Sequence, residues 1–154
     1  MPEAKELDRV DRAILRALSH DASLSLAEIA ERVGLTPTPC WKRIRRMEQE
    51  GVIRGRVAVL DAEKIGLPVS VFVAVETNDH SSDWLERFAK VVAGMEEIVD
   101  AWRMSGDVDY LLHVVVPDIA AYDSFYRRLI AAVPLRNVTS RFAMERMKAA
   151  PLPV

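Results

Sequence analysis

The chain of 154 residues contains one cysteine, Cys40. An internal disulfide framework is excluded, and such cysteine usage agrees with a reducing cytoplasm. No apolar run approaches the roughly 20 residues that cross a bilayer. The opening stretch MPEAKELDRVDR is acidic and polar, without the apolar region of a secretory signal. These absences point to a cytoplasmic protein with no membrane partner. His20, His80 and His113 are scattered and offer no paired metal spacing, so no metal and no cofactor are expected. There is no nucleophile–base pair and no glycine-rich phosphate loop, so an enzyme is not expected either.

A surplus of positive charge is also missing: net charge is −2, which alone argues against nucleic acid. Its distribution argues the other way. Residues 1–60 carry 11 Lys+Arg against 9 Asp+Glu, and residues 61–154 carry 10 against 14. Within 32–56 there are seven bases (Arg32, Lys42, Arg43, Arg45, Arg46, Arg54, Arg56) and two acids, Glu48 and Glu50. The field over a surface follows such local clustering rather than the total.

The first 60 residues read as three helices. Asp8 caps a helix with an apolar stripe at Val10, Ile14, Leu15 and Leu18. His20–Ser23 is a polar turn. Ser25 and Glu28 form a capping box ahead of Leu26, Ile29, Ala30 and Val33, and Gly34 suits a left-handed helix end. A third helix then starts at two prolines. Pro37 and Pro39 fit only in a first turn, where the amide they lack has no intrahelical acceptor. Thr36 is the expected cap and Gly51 the stop. Cys40, Ile44 and Met47 repeat at helical spacing and face inward, which makes Cys40 a small buried apolar residue rather than a redox sensor. Lys42, Arg43, Arg45 and Arg46 are expected to fan around the outside. This is the order of a helix-turn-helix, with its third helix suited to the major groove. In the following VIRGRVAVL, Gly55 sits between short β-prone pieces, as in a hairpin or "wing" with Arg54 and Arg56 at its tip.

Residues 61–67 form the junction between a first domain, 1–60, and a second, 68–154. Beyond Pro68, a strand (VSVFVAVET) leads to a helix marked by Leu85, Phe88, Val91 and Val92. Two strands (EEIVDAWRM and YLLHVVV) flank the turn SGDVD. A helix capped by Asp118 carries Ile119, Tyr122, Phe125, Tyr126, Leu129, Ile130 and Val133. NVTSRFAMERM is the last strand. The order β-α-β-β-α-β is ferredoxin-like, and the fold class is α+β. Both faces of the sheet read as apolar, yet two helices cover only one. A second copy, sheet on sheet, is the expected cover.

LDRVDRAIL, RVGLTPTPCWKRIRRMEQEGVI, SGDVDYLL and VPDIAAYDSFY together resemble the Lrp/AsnC, or feast/famine, family of transcriptional regulators, from about Leu7 to Lys148. The resemblance implies an N-terminal winged helix-turn-helix that binds double-stranded DNA. It also implies a C-terminal module that dimerises, assembles dimers into octamers and binds a free amino acid. The DNA-contacting residues so expected are Ser25, Thr36, Pro37, Thr38, Lys42, Arg43, Arg45 and Arg46, joined by Arg54 and Arg56 of the wing. Trp41 is bulkier than the residue many members carry there. Read by itself, MSGDVDY is an ordinary Gly-Asp hairpin turn. The resemblance makes it an effector loop in which Asp107 or Asp109 takes the ammonium and backbone amides take the carboxylate. The expected effector set is Met104, Ser105, Gly106, Asp107 and Asp109, with Ser140 and Phe142 opposite. TPCWKRIRRME, EKIGL and WRMSGDVDYL resemble a cysteine-responsive branch, and the effector's identity stays open. A nucleoid-associated, amino-acid-responsive regulator is the leading reading, and a DNA-compacting architectural protein the alternative.

Overall fold

The Asp8 carboxylate accepts the Asp11 amide (2.8 Å), and the Asp11 carboxylate accepts the Asp8 amide (3.3 Å). This reciprocal cap satisfies otherwise orphaned donors and starts α1, Arg9–His20. The computed structural model describes residues 6–154. The first five residues of the opening polar stretch lie outside it. Ser25 and Glu28 close the same kind of box at α2, Leu26–Val33. Gly34 ends α2 at φ 71°, and the Leu35 amide reaches back to the Ala30 carbonyl (2.9 Å). Helix α3 runs Pro37–Gln49, and Gly51 follows at φ 74°. Thr36 occupies the cap position of α3 but makes no side-chain cap bond. The third helical residue, where the acceptor would look for an amide, is Pro39, which has none.

The three helices enclose Ile14, Ile29, Ala30, Cys40, Ile44 and Met47. Cys40 is fully buried, and its burial pushes the thiol pKa up. The expected hairpin after α3 does not pair. Arg54–Leu60 has no strand partner, and Val57 and Val59 are exposed. Among the described residues Gly34, Gly51, Gly66 and Gly106 adopt positive φ, so Gly55 does not supply a hairpin turn. Arg56 instead returns to Glu48 on α3 (3.2 Å).

The second unit begins at Leu60 and ends at Met147; Lys148–Val154 group with the first unit, where Arg16 binds the Val154 carbonyl (2.7 Å). The sequence assigns those last residues to the second domain. They carry no strand to join its sheet. Residues 61–67, the junction, form one helical turn closed by Gly66.

In the second unit β1 (Val69–Glu76), α4 (Ser82–Gly94), β2 (Ile98–Arg103), β3 (Tyr110–Val116), α5 (Ile119–Ala132) and β4 (Asn137–Phe142) follow in the expected order. The sheet order is β2-β3-β1-β4, with every neighbouring pair antiparallel, a ferredoxin-like sheet. Val71, Val73 and Val75 of β1 and Leu112, Val114 and Val116 of β3 pack with Trp84, Phe88, Phe125 and Leu129 from the helices. Of the expected apolar stripe of α4, Phe88, Val91 and Val92 face the core, but Leu85 is exposed and Trp84 is buried in its stead. Trp84 also finds a partner for its indole N–H at the Pro134 carbonyl (2.9 Å). Ile119 and Ile130 of α5 lie outside the core.

The other face of the sheet carries Phe72, Ala74, Leu111, His113 and Trp102, punctuated by Asp100, Thr139 and Arg141 through the strand register. It is more polar than expected. His113 stacks on Phe72 (4.7 Å between centroids, 9° between planes) and bonds Ser70 (2.5 Å). Among the described residues no helix is long and apolar enough to cross a membrane.

Candidate nucleic-acid interface and effector loop

Helix α3 buries Cys40, Ile44 and Met47, so the opposite flank carries Thr38, Lys42, Arg45 and Gln49, at i, i+4, i+7 and i+11. All four are exposed. Thr36 and Thr38 hold their hydroxyls at the amino end of the helix, and Pro37 sets its first turn. Among the described residues Lys42 and Arg54 form no ion pair. Arg45 pairs with Glu48 (3.2 Å), which also holds Arg56 (3.2 Å). Exposed pairs of this kind are worth about 0–1 kcal/mol and exchange readily for a phosphate. The Arg45 guanidinium stands 6.0 Å from the centre of the Trp41 ring, itself 51% exposed. Trp41 therefore flanks the cationic stripe instead of filling the core. Beside it lies a cleft of about 260 Å³ bounded by Leu24, Leu26, Ile44 and Arg45.

Arg43 and Arg46 do not join this stripe. Arg43 binds Asp8 (2.6 Å) and Asp11 (2.8 Å), and Arg46 binds Asp11 (2.5 Å). Asp11 is 1% exposed. The expectation that four cations fan outward is thus corrected. Seen along the helix, residues 43 and 46 fall on the flank toward α1, whose first turn presents two carboxylates. The pairing leaves Arg43 more basic than a free guanidinium, chiefly through its bonds to Asp11 and Asp8. The Asp11 amide, and then Arg43, hold the Asp8 carboxyl below its usual range. Counting these two acids, the local surplus of five positive charges drops to three. Ser25, another expected contact, is occupied by the cap of α2.

In the second unit, the loop between β2 and β3 holds Ser105, Gly106 and Asp107 exposed, with Gly106 at φ 120°. Met104 is also exposed at its start, and its amide reaches the Asp109 carbonyl (2.8 Å). One carboxylate oxygen of Asp109 is committed to the backbone. Its carboxylate accepts the amide of Thr77 (2.8 Å), a residue 5% exposed, and its own amide reaches the Val75 carbonyl (3.0 Å). Asp107 is exposed, and among the described residues neither of its carboxylate oxygens has a partner. Ser140 and Phe142 lie on β4, at the opposite edge of the sheet, with β3 and β1 between. Ser140 bonds the Tyr122 hydroxyl, and Phe142 meets the Tyr122 ring edge-on at 5.1 Å. Within one chain the structure does not bring them to the loop.

Sequence reasoning missed Asp11, Glu48 and Thr77 as partners of candidate site residues. Asp8 did signal a helix start. Nothing local signals that the Asp11 carboxylate reaches 32 and 35 residues along the chain to Arg43 and Arg46.

A three-helix unit with an open cationic flank on its third helix, followed by a ferredoxin-like module, defines a helix-turn-helix transcriptional regulator. Residues 7–54 match the family described as winged helix-turn-helix DNA-binding, and residues 70–153 match the Lrp/AsnC ligand binding domain. The chain belongs to the Lrp/AsnC family of transcriptional regulators. It is 52% identical over 143 residues to the DNA-binding transcriptional activator DecR of Escherichia coli (strain K12), covering 92% of this chain and 94% of DecR. Its fold is similar to the crystal structure of an AsnC family transcriptional regulator from Agrobacterium tumefaciens, with TM-score 0.92, 56% identity and coverage of 96% and 97% of the two chains. A transcriptional regulator from Neisseria meningitidis, solved as its L-Met complex, gives TM-score 0.91 and 30% identity, with coverage of 96% and 97%.

Proposed function

We propose that this protein is a sequence-specific DNA-binding regulator whose DNA affinity or assembly responds to a free amino acid. The reading is carried by the exposed stripe Thr38, Lys42, Arg45 and Gln49 at the front of α3. Lys42, Arg45, Arg54 and Arg56 contact phosphate or guanine, and the Thr36 and Thr38 hydroxyls and Trp41 lie against the groove. Arginine paired with guanine contributes about 1–3 kcal/mol of discrimination. Phosphate contacts release counterions and make the affinity steeply salt-dependent.

The effector loop is Ser105–Asp107. Its backbone amides receive the carboxylate of the amino acid and Asp107 takes its ammonium. That the Neisseria relative was solved as an L-Met complex supports a free amino acid as the ligand. The open sheet face, with Phe72, Leu111 and Trp102, packs against a second copy about a two-fold axis. In such a dimer Ser140 and Phe142 approach the loop only from the partner. The effector acts by binding two arrangements of the protomers unequally. The protein works in the cytoplasm, on the nucleoid.

The test is a gel-shift titration over a salt series with Lys42→Ala/Arg45→Ala. The slope of log K against log salt is expected to flatten by about 0.9 for each phosphate that is no longer neutralised. Unchanged affinity and slope would remove α3 as the reading helix. Calorimetry against the twenty amino acids names the effector. If none alters DNA binding, the protein compacts DNA instead.

A further inference from the structure

The geometry points to Asp11 as a positioning residue for DNA reading: it sets the rotation of α3 by clamping Arg43 and Arg46. This rests on the reading of α3 as the DNA-contacting helix. The apolar contact between the helices, Ile14 against Cys40, Ile44 and Met47, is non-directional. Such a contact fixes which side of α3 is buried but opposes small turns of the helix about its own axis only weakly. A fork of ion pairs has direction.

Both oxygens of Asp11 are committed. Oδ1 accepts from Arg43 (2.8 Å), and Oδ2 accepts from Arg46 (2.5 Å) and from the Asp8 amide (3.3 Å). Asp8 closes the ring, taking Arg43 (2.6 Å) and the Asp11 amide (2.8 Å). The cap of one helix is thereby also the anchor of another. Arg43 and Arg46 are three residues apart and so share one flank of α3. Drawing that flank onto the first turn of α1 leaves Thr38, Lys42, Arg45 and Gln49 facing outward. A carboxylate at 1% exposure has little water to turn to if its partners leave, so the arrangement is stiff. Both bonds of Arg43 leave from Nη1; a lysine would supply the charge from a single nitrogen, but without the rigid guanidinium plane that holds Nη1 between Asp8 and Asp11.

The functional consequence is that Arg43 and Arg46 govern affinity without contributing counterion release. The experiment uses the intact protein and a duplex selected from random-sequence DNA by the wild-type protein. Binding is measured over a salt series at a temperature well below each variant's melting midpoint. Asp11→Asn and Arg43→Ala are expected to weaken binding about tenfold, the worth of one base contact, with the wild-type salt slope kept. Lys42→Ala is expected to flatten the slope by about 0.9, the value for one phosphate left unneutralised. Arg43→Lys separates the roles when Asp11→Asn does not fold. A tether loses affinity on this change, and a phosphate contact keeps it. The inference is overturned if Arg43→Ala flattens the slope as Lys42→Ala does, if Arg43→Lys binds like wild type, or if Asp11→Asn binds as well as wild type or better. Better binding would mean that the carboxylates mask the arginines from DNA. Indifference to Lys42→Ala is a separate failure, that of the DNA-reading assignment of α3.

Discussion

Replacing Asp109 by alanine separates a ligand-binding carboxylate from a structural one. If Asp109 served only to hold an effector, the unliganded protein would not register its loss. The structure says otherwise. The Asp109 carboxylate is 2.8 Å from the amide of Thr77, which is 5% exposed and immediately follows β1. Truncation leaves that amide without its acceptor in a place poor in water. A hydrogen bond to a charged acceptor contributes about 1.5–3 kcal/mol, and stranding a buried donor costs about 1–3 kcal/mol. For a chain of about this size each kcal/mol moves the melting midpoint by about 2–4 °C, so a drop of about 3–12 °C is expected by scanning calorimetry without ligand. Asp109→Asn keeps an oxygen acceptor and is expected to recover much of that loss. A midpoint for Asp109→Ala within about 1 °C of wild type would refute the structural assignment and return Asp109 to the effector. Because the Asp107 carboxylate is open, Asp107→Asn should leave the midpoint unchanged and weaken binding of the amino acid.

Two further outcomes follow from groups partly or wholly withdrawn from water elsewhere. Burial lowers the His113 pKa from 6.5, partly countered by Asp100. The unfolded chain therefore takes up the proton first, so His113 contributes stability that is present above pH 6.5 and declines as pH falls below it. Urea midpoints measured from pH 7 downward should show that decline, and His113→Gln should flatten it. Cys40, fully buried with its thiol pKa raised, should resist thiol reagents in the folded protein and react on unfolding. Cys40→Ser should cost about 1–3 kcal/mol for a poorly satisfied hydroxyl, and rapid labelling of the native protein would contradict the burial.

Much of the fold was legible because its signals are local. Asp8, Ser25 and Asp118 announce helix starts through contacts three residues away. Gly34 and Gly51 stop helices by accepting a left-handed backbone. The β-prone runs VSVFVAVE and YLLHVVV are read directly as strands, though both of their faces read as apolar. Where local rules compete, the sequence was less clear. It placed β-prone residues at 56–60 but could not show that no strand would meet them. It also put Leu85 rather than Trp84 on the buried side of α4, a choice that depends on where the indole finds room and a carbonyl.

What the chain by itself determined was therefore the order of elements, the two-unit architecture and the buried side of each helix, since these follow from periodicity, capping and the conformational limits of glycine and proline. Tertiary structure alone decided which polar groups are free to act. Arg43 and Arg45 are equally basic in sequence, and Asp107 and Asp109 equally acidic. The members of each pair differ because a carboxylate or an amide distant along the chain folds against one and not the other, and the geometry of that encounter has no local signature.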